Sequence, residues 1–288
     1  MIQFGNDKIK EIYVGSDPIK EVYYGSEKVW GKIVAIQDGY WVHKDTGVKT
    51  YFGLEDSSIE DGIMGYPSWM PNCSEVKLPS GVTGFKTYNW VIEEWGNWEV
   101  TYTGFVHSKE TYSAGNDVLI GVDLSNTSIT SIGSNSFAGC YALTSITLPI
   151  GVTSLGEYCF SQCTSLISIA LPESVTSLGG GCFSECTSLT SINIPESVTS
   201  LESECFSFCE SLTSINIPEG VTSIGEYCFY ECTSLILATV LPAIPPSIGE
   251  GVFDDVHTSF NIKVNSPYVN AYKTATNWNE YANKISAI

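Results

Sequence analysis

The chain has 288 residues, 43% of them hydrophobic, which is typical of a globular protein, and it is long enough for two or more folding units. Its formal net charge is −19, and all 13 basic residues are lysine. Because arginine is the residue best suited to phosphates and base edges, its absence argues against nucleic acid as a partner.

The N-terminus and the overall hydropathy bear on localisation. Residues 1–10 contain no apolar segment of the kind found in secretory signals, and no run of eighteen apolar residues occurs. No basic residue lies between Lys109 and Lys263, so an anionic membrane surface would repel that part of the chain. We therefore expect synthesis in a reducing cytoplasm and no membrane insertion.

A short repeat occupies residues 9–31. The segment Ile-Lys-Glu-Ile-Tyr-Val-Gly-Ser-Asp-Pro is followed by Ile-Lys-Glu-Val-Tyr-Tyr-Gly-Ser-Glu-Lys. Each copy predicts strand, turn and strand. So small a sheet is not stable alone, so it either attaches to another chain or packs on its own neighbouring domain. The candidate attachment residues are Ile12, Tyr13, Val22, Tyr23 and Trp30.

This tandem pattern resembles the N-terminal segments of tail, fibre and other virion proteins of phages that infect gut bacteria. The resemblance covers residues 9–31 only. It implies that residues 1–32 bind other virion proteins, that the chain is an oligomer, and that its final location is the virion surface.

Residues 33–118 are predicted to form a β-rich aromatic domain, with strands at Tyr40 to His43 and at Lys49 to Phe52. Farther along, Val76-Lys-Leu-Pro-Ser-Gly-Val-Thr echoes Ile146-Thr-Leu-Pro-Ile-Gly-Val-Thr. Either a diverged repeat caps the later repeat block from its N-terminal side, or the echo is due to chance.

The clearest element in this domain is a hairpin with a two-residue turn at Gly96-Asn97. That turn places Trp95 opposite Trp98, with Val91, Val100 and Tyr102 on the same face. The candidate binding residues here, which would stack on sugar rings or anchor an interface, are Tyr88, Trp95 and Trp98. Alternatively, the tryptophans only stabilise their own hairpin.

A 23-residue repeat dominates residues 119–256. Leu-Thr-Ser-Ile-x-x-Pro is followed by Val-Thr-Ser-Leu/Ile and then Cys-Phe-x-x-Cys, and Phe160, Phe183, Phe206 and Phe229 are each 23 residues apart. A fixed period of this size predicts a solenoid in which neighbouring units bury one another's apolar residues. The first unit and the last are irregular, as terminal capping repeats are.

This block resembles the BspA-like leucine-rich repeats. The resemblance implies a curved stack with one short strand per unit and a short helical or turn segment that carries the phenylalanine. The fold class is therefore predicted to be mainly β with short helical segments.

Residues 257–288 are predicted to close the stack. Phe260, Ile262 and Val264 alternate as a last strand, and Ser266-Pro267 caps and begins a helix through Tyr272. The apolar face that follows consists of Trp278, Tyr281 and Ile285. This segment is similar to the C-terminal ends of many such repeat proteins.

In a leucine-rich repeat, the residues between the buried strand positions point out from the concave sheet. None of them suits acid–base catalysis or metal binding, so we expect no cofactor and no enzyme activity. They are Thr144, Ser145, Thr147, Ile167, Ser168, Ala170, Thr190, Ser191, Asn193, Thr213, Ser214 and Asn216.

Nine of the ten cysteines form two ladders at the repeat period. Neighbouring rungs lie close enough for disulfides, but a reducing compartment and an odd ladder of five favour thiols used as small apolar groups. A column of Glu173, Glu196 and Glu219 would either attract a divalent cation or only aid solubility. His43, His107 and His257 are isolated and belong to no catalytic motif.

Four segments follow from these patterns: residues 1–32, 33–118, 119–256 and 257–288. The function predicted is that of a non-enzymatic phage virion or adhesion protein, whose repeat surface binds a host-surface protein or glycan. A bacterial cell-surface adhesin is the alternative, and an enzyme in residues 33–118 is a third hypothesis that lacks a recognisable catalytic constellation.

Overall fold

The computed structural model describes residues 119–288 fully and, before them, the backbone pairing of short strands between residues 3 and 103. Among these residues the fold is mostly β: a solenoid of about seven turns with a period of about 23 residues and one short α-helix near the C-terminus. The fold class predicted from the sequence is confirmed.

The strands before the solenoid are short. They are β1 (Gln3–Phe4), β2 (Asp7–Lys8), β3 (Tyr23–Tyr24), β4 (Glu27–Lys28), β5 (Tyr40–His43), β6 (Lys49–Tyr51), β7 (Ile59–Glu60), β8 (Ile63–Met64), β9 (Cys73–Lys77), β10 (Gly84–Phe85), β11 (Thr87–Ile92) and β12 (Trp98–Thr103).

Strands of the solenoid alternate between two faces, which we call the first face and the second face. The first face holds β13 (Gly121–Asp123), β15 (Ser145–Thr147), β17 (Ser168–Ile169), β19 (Ser191–Ile192), β21 (Ser214–Ile217), β23 (Leu237–Val240), β25 (Asn261–Val264) and β26 (Ile285–Ala287). The second face holds β14 (Ser131–Ile132), β16 (Ser154–Leu155), β18 (Ser177–Leu178), β20 (Ser200–Leu201), β22 (Ser223–Ile224) and β24 (Ser247–Ile248).

Successive units pair in parallel and in register. Ile169 is opposite Ile192 on the first face, and Leu178 is opposite Leu201 on the second. Each repeat position therefore meets the same position of the next unit. Short strands suffice because every unit is covered on both sides by a copy of itself.

A stack of phenylalanine rings runs through the centre of the core. Between Phe137 and Phe253, successive rings lie 5.2–5.5 Å apart with interplanar angles of at most 7°. They are at most 3% exposed, and burying such a side chain contributes about 1.5–3 kcal/mol. The period-23 phenylalanines are thus the central column of the solenoid.

Backbone hydrogen bonds also join the turns that carry Cys-Phe-x-x-Cys. These turns form a third side of the solenoid, which we call the turn face. The backbone N–H groups of Tyr158, Phe160 and Gln162 donate to carbonyl oxygens of the next unit, each at 2.8 Å. Two positions per unit have positive φ, which turns alternate N–H groups toward the same neighbour. They are Asn135, Tyr158, Gly181, Glu204, Tyr227 and Gly251, and Gly139, Gln162, Glu185, Phe208, Glu231 and Asp255.

The first face continues on its N-terminal side. Strand β9 pairs in parallel with β13, with Val76 opposite Val122, which in turn is opposite Ile146. The predicted echo at Val76 is therefore a strand in the register of the repeats. Strands β5 and β6 extend this sheet antiparallel, and their predicted positions are confirmed, β6 ending at Tyr51.

The predicted two-residue turn at Gly96-Asn97 is wrong. Strands β11 and β12 do pair antiparallel, but Trp98 lies opposite Ile92, not Trp95, and Val91 lies opposite Glu99. The predicted register would have placed Glu94 opposite Glu99, and like charges in directly opposed positions destabilise a sheet. The observed register instead places the apolar Val91 opposite Glu99.

The N-terminal strand–turn–strand prediction holds at one copy, where β3 and β4 pair antiparallel with Tyr23 opposite Lys28. The other candidate attachment residues, Ile12, Tyr13, Val22 and Trp30, lie outside the described residues, as does Trp95.

The C-terminal segment differs from the prediction. Ser266–Tyr268 is a 3₁₀ turn whose N-cap residue is Asn265, not Ser266. The α-helix α1 (Val269–Thr274) begins after it, with Tyr268 at its N-cap position. Ile285 begins β26, which pairs in parallel with β25, so β25 is not the last strand. The backbone of β26 thereby covers the edge of β25 that would otherwise lie open.

Side chains of this C-terminal segment terminate the solenoid. Tyr272 Oη donates to the carbonyl of Pro242 at 2.8 Å, and Trp278 Nε1 donates to that of Pro246 at 2.7 Å. Asn277 Nδ2 donates to the carbonyl of Ile248 at 2.7 Å. These groups replace the partners that a further repeat would supply.

Candidate functional site

The first face presents a polar surface. Its inward residues, such as Ile146, Ile192 and Ile215, are at most 8% exposed, while the residues between them point outward. All twelve side chains predicted to face out are exposed: Thr144, Ser145, Thr147, Ile167, Ser168, Ala170, Thr190, Ser191, Asn193, Thr213, Ser214 and Asn216.

An open depression of about 500 Å³ lies in the middle of this face. It is lined by Ser168, Ala170, Ser191, Asn193, Ser214 and Asn216, with Ile169 and Ile192 at its base. Ala170 is opposite Asn193 in the extension of the parallel register. The smaller side chain there opens the surface between neighbouring units.

Polar side chains along the first face differ in whether they form hydrogen bonds within the protein. Thr144 Oγ1 donates to the carbonyl of Ile120 at 3.1 Å, and Thr190 Oγ1 donates to that of Ile167 at 3.3 Å. Within residues 119–288, the side chains of Ser191, Asn193 and Asn216 form no hydrogen bond. Their donors and acceptors therefore face solvent and are available to a ligand.

Carboxylates lie away from this depression. Glu173, Glu196 and Glu219 are exposed on the turns that follow the repeat prolines. In the part of the chain that the structure describes, no group of three or more His, Cys, Asp or Glu side chains could hold a metal ion. His257 is exposed, and its Nδ1 accepts a hydrogen bond from the Ser259 N–H at 3.1 Å.

The two cysteine ladders lie in the core as free thiols. Cys163, Cys186, Cys209 and Cys232 each donate to a phenylalanine carbonyl of the preceding unit at 3.1–3.2 Å. Burial raises the pKa of Cys232 to about 12 and that of Cys209 well above its usual value. Such thiols are poor nucleophiles near neutral pH.

A group of aromatic side chains on the turn face was not predicted from the sequence. Phe208, Tyr227 and Tyr230 lie edge to face, with centroids 5.4 and 5.7 Å apart. The available signal was a departure from the repeat, since Phe208 occupies a position that holds Gln162 and Glu185 in the two preceding units.

Comparison with known families agrees with the geometry. A model described as "BspA type Leucine rich repeat region" matches residues 116–236 in six copies. Residues 116–236 are a BspA type leucine-rich repeat region. No curated protein matches the chain. Among the residues described, no helix has the length and apolar character needed to cross a membrane.

The chain is similar to several solved structures. A leucine-rich repeat protein from Bacteroides ovatus is 19% identical, with 83% of this chain and 75% of that one covered and a TM-score of 0.42. The leucine-rich repeat protein of T. pallidum is 21% identical, with 68% and 92% covered and a TM-score of 0.48. A leucine rich cell surface protein from Faecalibacterium prausnitzii is 23% identical, with 65% and 58% covered and a TM-score of 0.39.

Proposed function

We propose that this chain is a non-enzymatic binding protein that presents the first face of its BspA type repeats to a ligand. The observation that carries this proposal is the outward row of hydroxyl and amide groups around the depression at Ala170. These groups suit hydrogen bonding to a polar protein or glycan surface, and none can act as a nucleophile with an adjacent base.

Binding of fluorescently labelled full-length protein to intact gut bacteria tests the use of this face. Asn193→Arg should abolish labelling because a long charged side chain would block the depression. Ser177→Arg, on the second face, introduces the same charge at another exposed position and should leave labelling unchanged. Equal labelling by wild type and Asn193→Arg would contradict the proposal.

The setting we propose is a phage virion, with residues 1–32 attached to other virion proteins and the chain assembled as an oligomer. The support is the tandem repeat at residues 9–31 and its resemblance to virion proteins. Mass spectrometry of purified virions from the source phage should find the chain in stoichiometric amounts. Its absence from those particles would remove this setting while leaving the binding proposal intact.

The second candidate is a bacterial cell-surface adhesin, which the BspA type repeat region favours equally. Brief protease treatment of intact bacteria that carry the gene separates the two candidates. Loss of the chain from intact cells would support the adhesin, and its protection until lysis or phage release would support the virion protein.

A further inference from the structure

The turn face carries the aromatic cluster of Phe208, Tyr227 and Tyr230, and each of these side chains is partly exposed. Tyr230 lies edge to face with both Phe208 and Tyr227, at interplanar angles of 90° and 80°. The Phe208 N–H donates to the Tyr230 carbonyl at 2.8 Å, which fixes these two residues in adjacent units.

Carboxylates border this cluster. Glu231 follows Tyr230 directly, and Asp255 occupies the same repeat position as Glu231 in the next unit. The pKa of Tyr230 is raised, first because its hydroxyl interacts with the Glu231 carboxylate and, less strongly, because the charge of Asp255 disfavours the ionised phenol. Two carboxylates of adjacent units therefore lie beside the rings.

The chain itself offers no cation to this surface from neighbouring repeats, since no lysine or arginine lies between Lys109 and Lys263. Aromatic faces attract lysine and arginine, and adjacent carboxylates add charge complementarity. A neutral or acidic partner would leave these carboxylates uncompensated.

We infer that the cluster of Phe208, Tyr227 and Tyr230, with Glu231 and Asp255, is a docking surface for a lysine or arginine side chain of a protein partner. It is separate from the first face, so it provides a second contact that does not depend on what the first face binds. The cationic group lies against the rings and its charge is shared by the two carboxylates.

The repeat supplies matched variants for the test. Phe208→Gln introduces the residue type found at the equivalent position two units earlier, Gln162. Tyr230→Ser introduces the residue type found at its equivalent position one unit earlier, Ser207. Glu231→Gln removes one charge at the cluster, and Glu196→Gln removes one charge from an exposed turn elsewhere. Thermal unfolding of each variant checks that the fold is retained.

The probe is a fluorescein-labelled peptide of alternating glycine and lysine, titrated with the full-length chain and followed by anisotropy at low salt. The same peptide with acetylated lysines is the control. We expect the lysine peptide alone to bind, with affinity reduced about two- to fivefold by each of Phe208→Gln, Tyr230→Ser and Glu231→Gln. Glu196→Gln should have little effect. Failure of the lysine peptide to bind would overturn the inference. So would an equal loss of affinity in Glu196→Gln and Glu231→Gln together with an unchanged affinity in Phe208→Gln.

Discussion

At the scale of single residues, the turn face shows how one repeat position tolerates different side chains. Tyr158 and Gly181 occupy equivalent positions of adjacent units, both with positive φ. The Tyr158 ring lies where a Cβ on Gly181 would be, and the Tyr227 ring has the same relation to Gly251. A tyrosine at this position therefore requires a small residue at the equivalent position of the next unit.

This relation predicts the effect of Gly181→Ala. The new Cβ would overlap the Tyr158 ring and would sit on a backbone with φ of +59°. We expect the free energy of unfolding to fall by about 1–3 kcal/mol, measured by urea denaturation.

Gly180→Ala is the matched control, because a Cβ there meets only the Ser203 carbonyl at 3.4 Å. It should be neutral or slightly stabilising, since alanine reduces the entropy of the unfolded chain. Equal destabilisation by Gly180→Ala and Gly181→Ala would contradict this account.

At the scale of elements, the C-terminal cap is held by side-chain donors as well as by apolar contact. Tyr272 is fully buried, and its hydroxyl is bonded to the Pro242 carbonyl. Loss of that donor would leave a buried carbonyl without its partner, which is costly in a low-dielectric core.

Tyr272→Phe should therefore lower the free energy of unfolding by about 1–3 kcal/mol, measured by chemical denaturation. Tyr268→Phe, a tyrosine at the start of the same segment that is only partly buried, should change it by less than about 0.5 kcal/mol. A loss of similar size in both variants would show that the bond to Pro242 is not the cause.

The cysteine ladders predict a loss of stability at alkaline pH. Burial raises the pKa of the Cys182, Cys209 and Cys232 thiols in the folded chain. The unfolded thiols ionise near pH 8.5, so above that pH the unfolded state releases protons that the folded state keeps. The buried neutral thiols therefore contribute fully to the free energy of unfolding below pH 8.5. This contribution is lost progressively as pH rises toward 12, the folded pKa of Cys232.

Midpoints of urea unfolding, measured between pH 7 and pH 11, should therefore decrease once the pH exceeds about 8.5. The decrease per pH unit should be smaller in Cys232→Ala.

Thiol titration in denaturant should find all ten cysteines reduced in freshly made protein, whereas native protein should leave the nine buried thiols unreacted. Far fewer than ten thiols would refute the reduced core.

At the scale of the whole molecule, charge is separated from the core. The repeats carry carboxylates on their turns and no lysine or arginine, while the interior is built from Phe, Leu, Ile, Val and Cys. A net charge of one sign keeps a protein soluble, but repulsion among the like charges destabilises the folded state.

Salt should therefore stabilise the folded chain. Raising NaCl from 20 to 300 mM should raise the thermal midpoint by several degrees because it screens this repulsion. Millimolar CaCl₂ should act no more strongly than NaCl of equal ionic strength. A specific increase with calcium would instead indicate a divalent-cation site, for which the column of Glu173, Glu196 and Glu219 is the sequence-predicted candidate.

The sequence by itself determined the solenoid, its period and which residues are buried. The reason is that each repeat position meets its own copy, so the period in sequence is also the neighbour relation in space. Even the strand at Val76 was visible as an echo, because pairing in register needs the same alternation of residues.

Only the tertiary structure decided features that depend on contacts between unlike segments. The hairpin register follows from which side chains are opposite each other, and a local turn motif did not predict it. The cap needs donors placed against particular carbonyls of the last turn, and the aromatic cluster needs Phe208 and Tyr230 from different units to meet. Such pairings have no period, so the sequence holds no repeated signal for them.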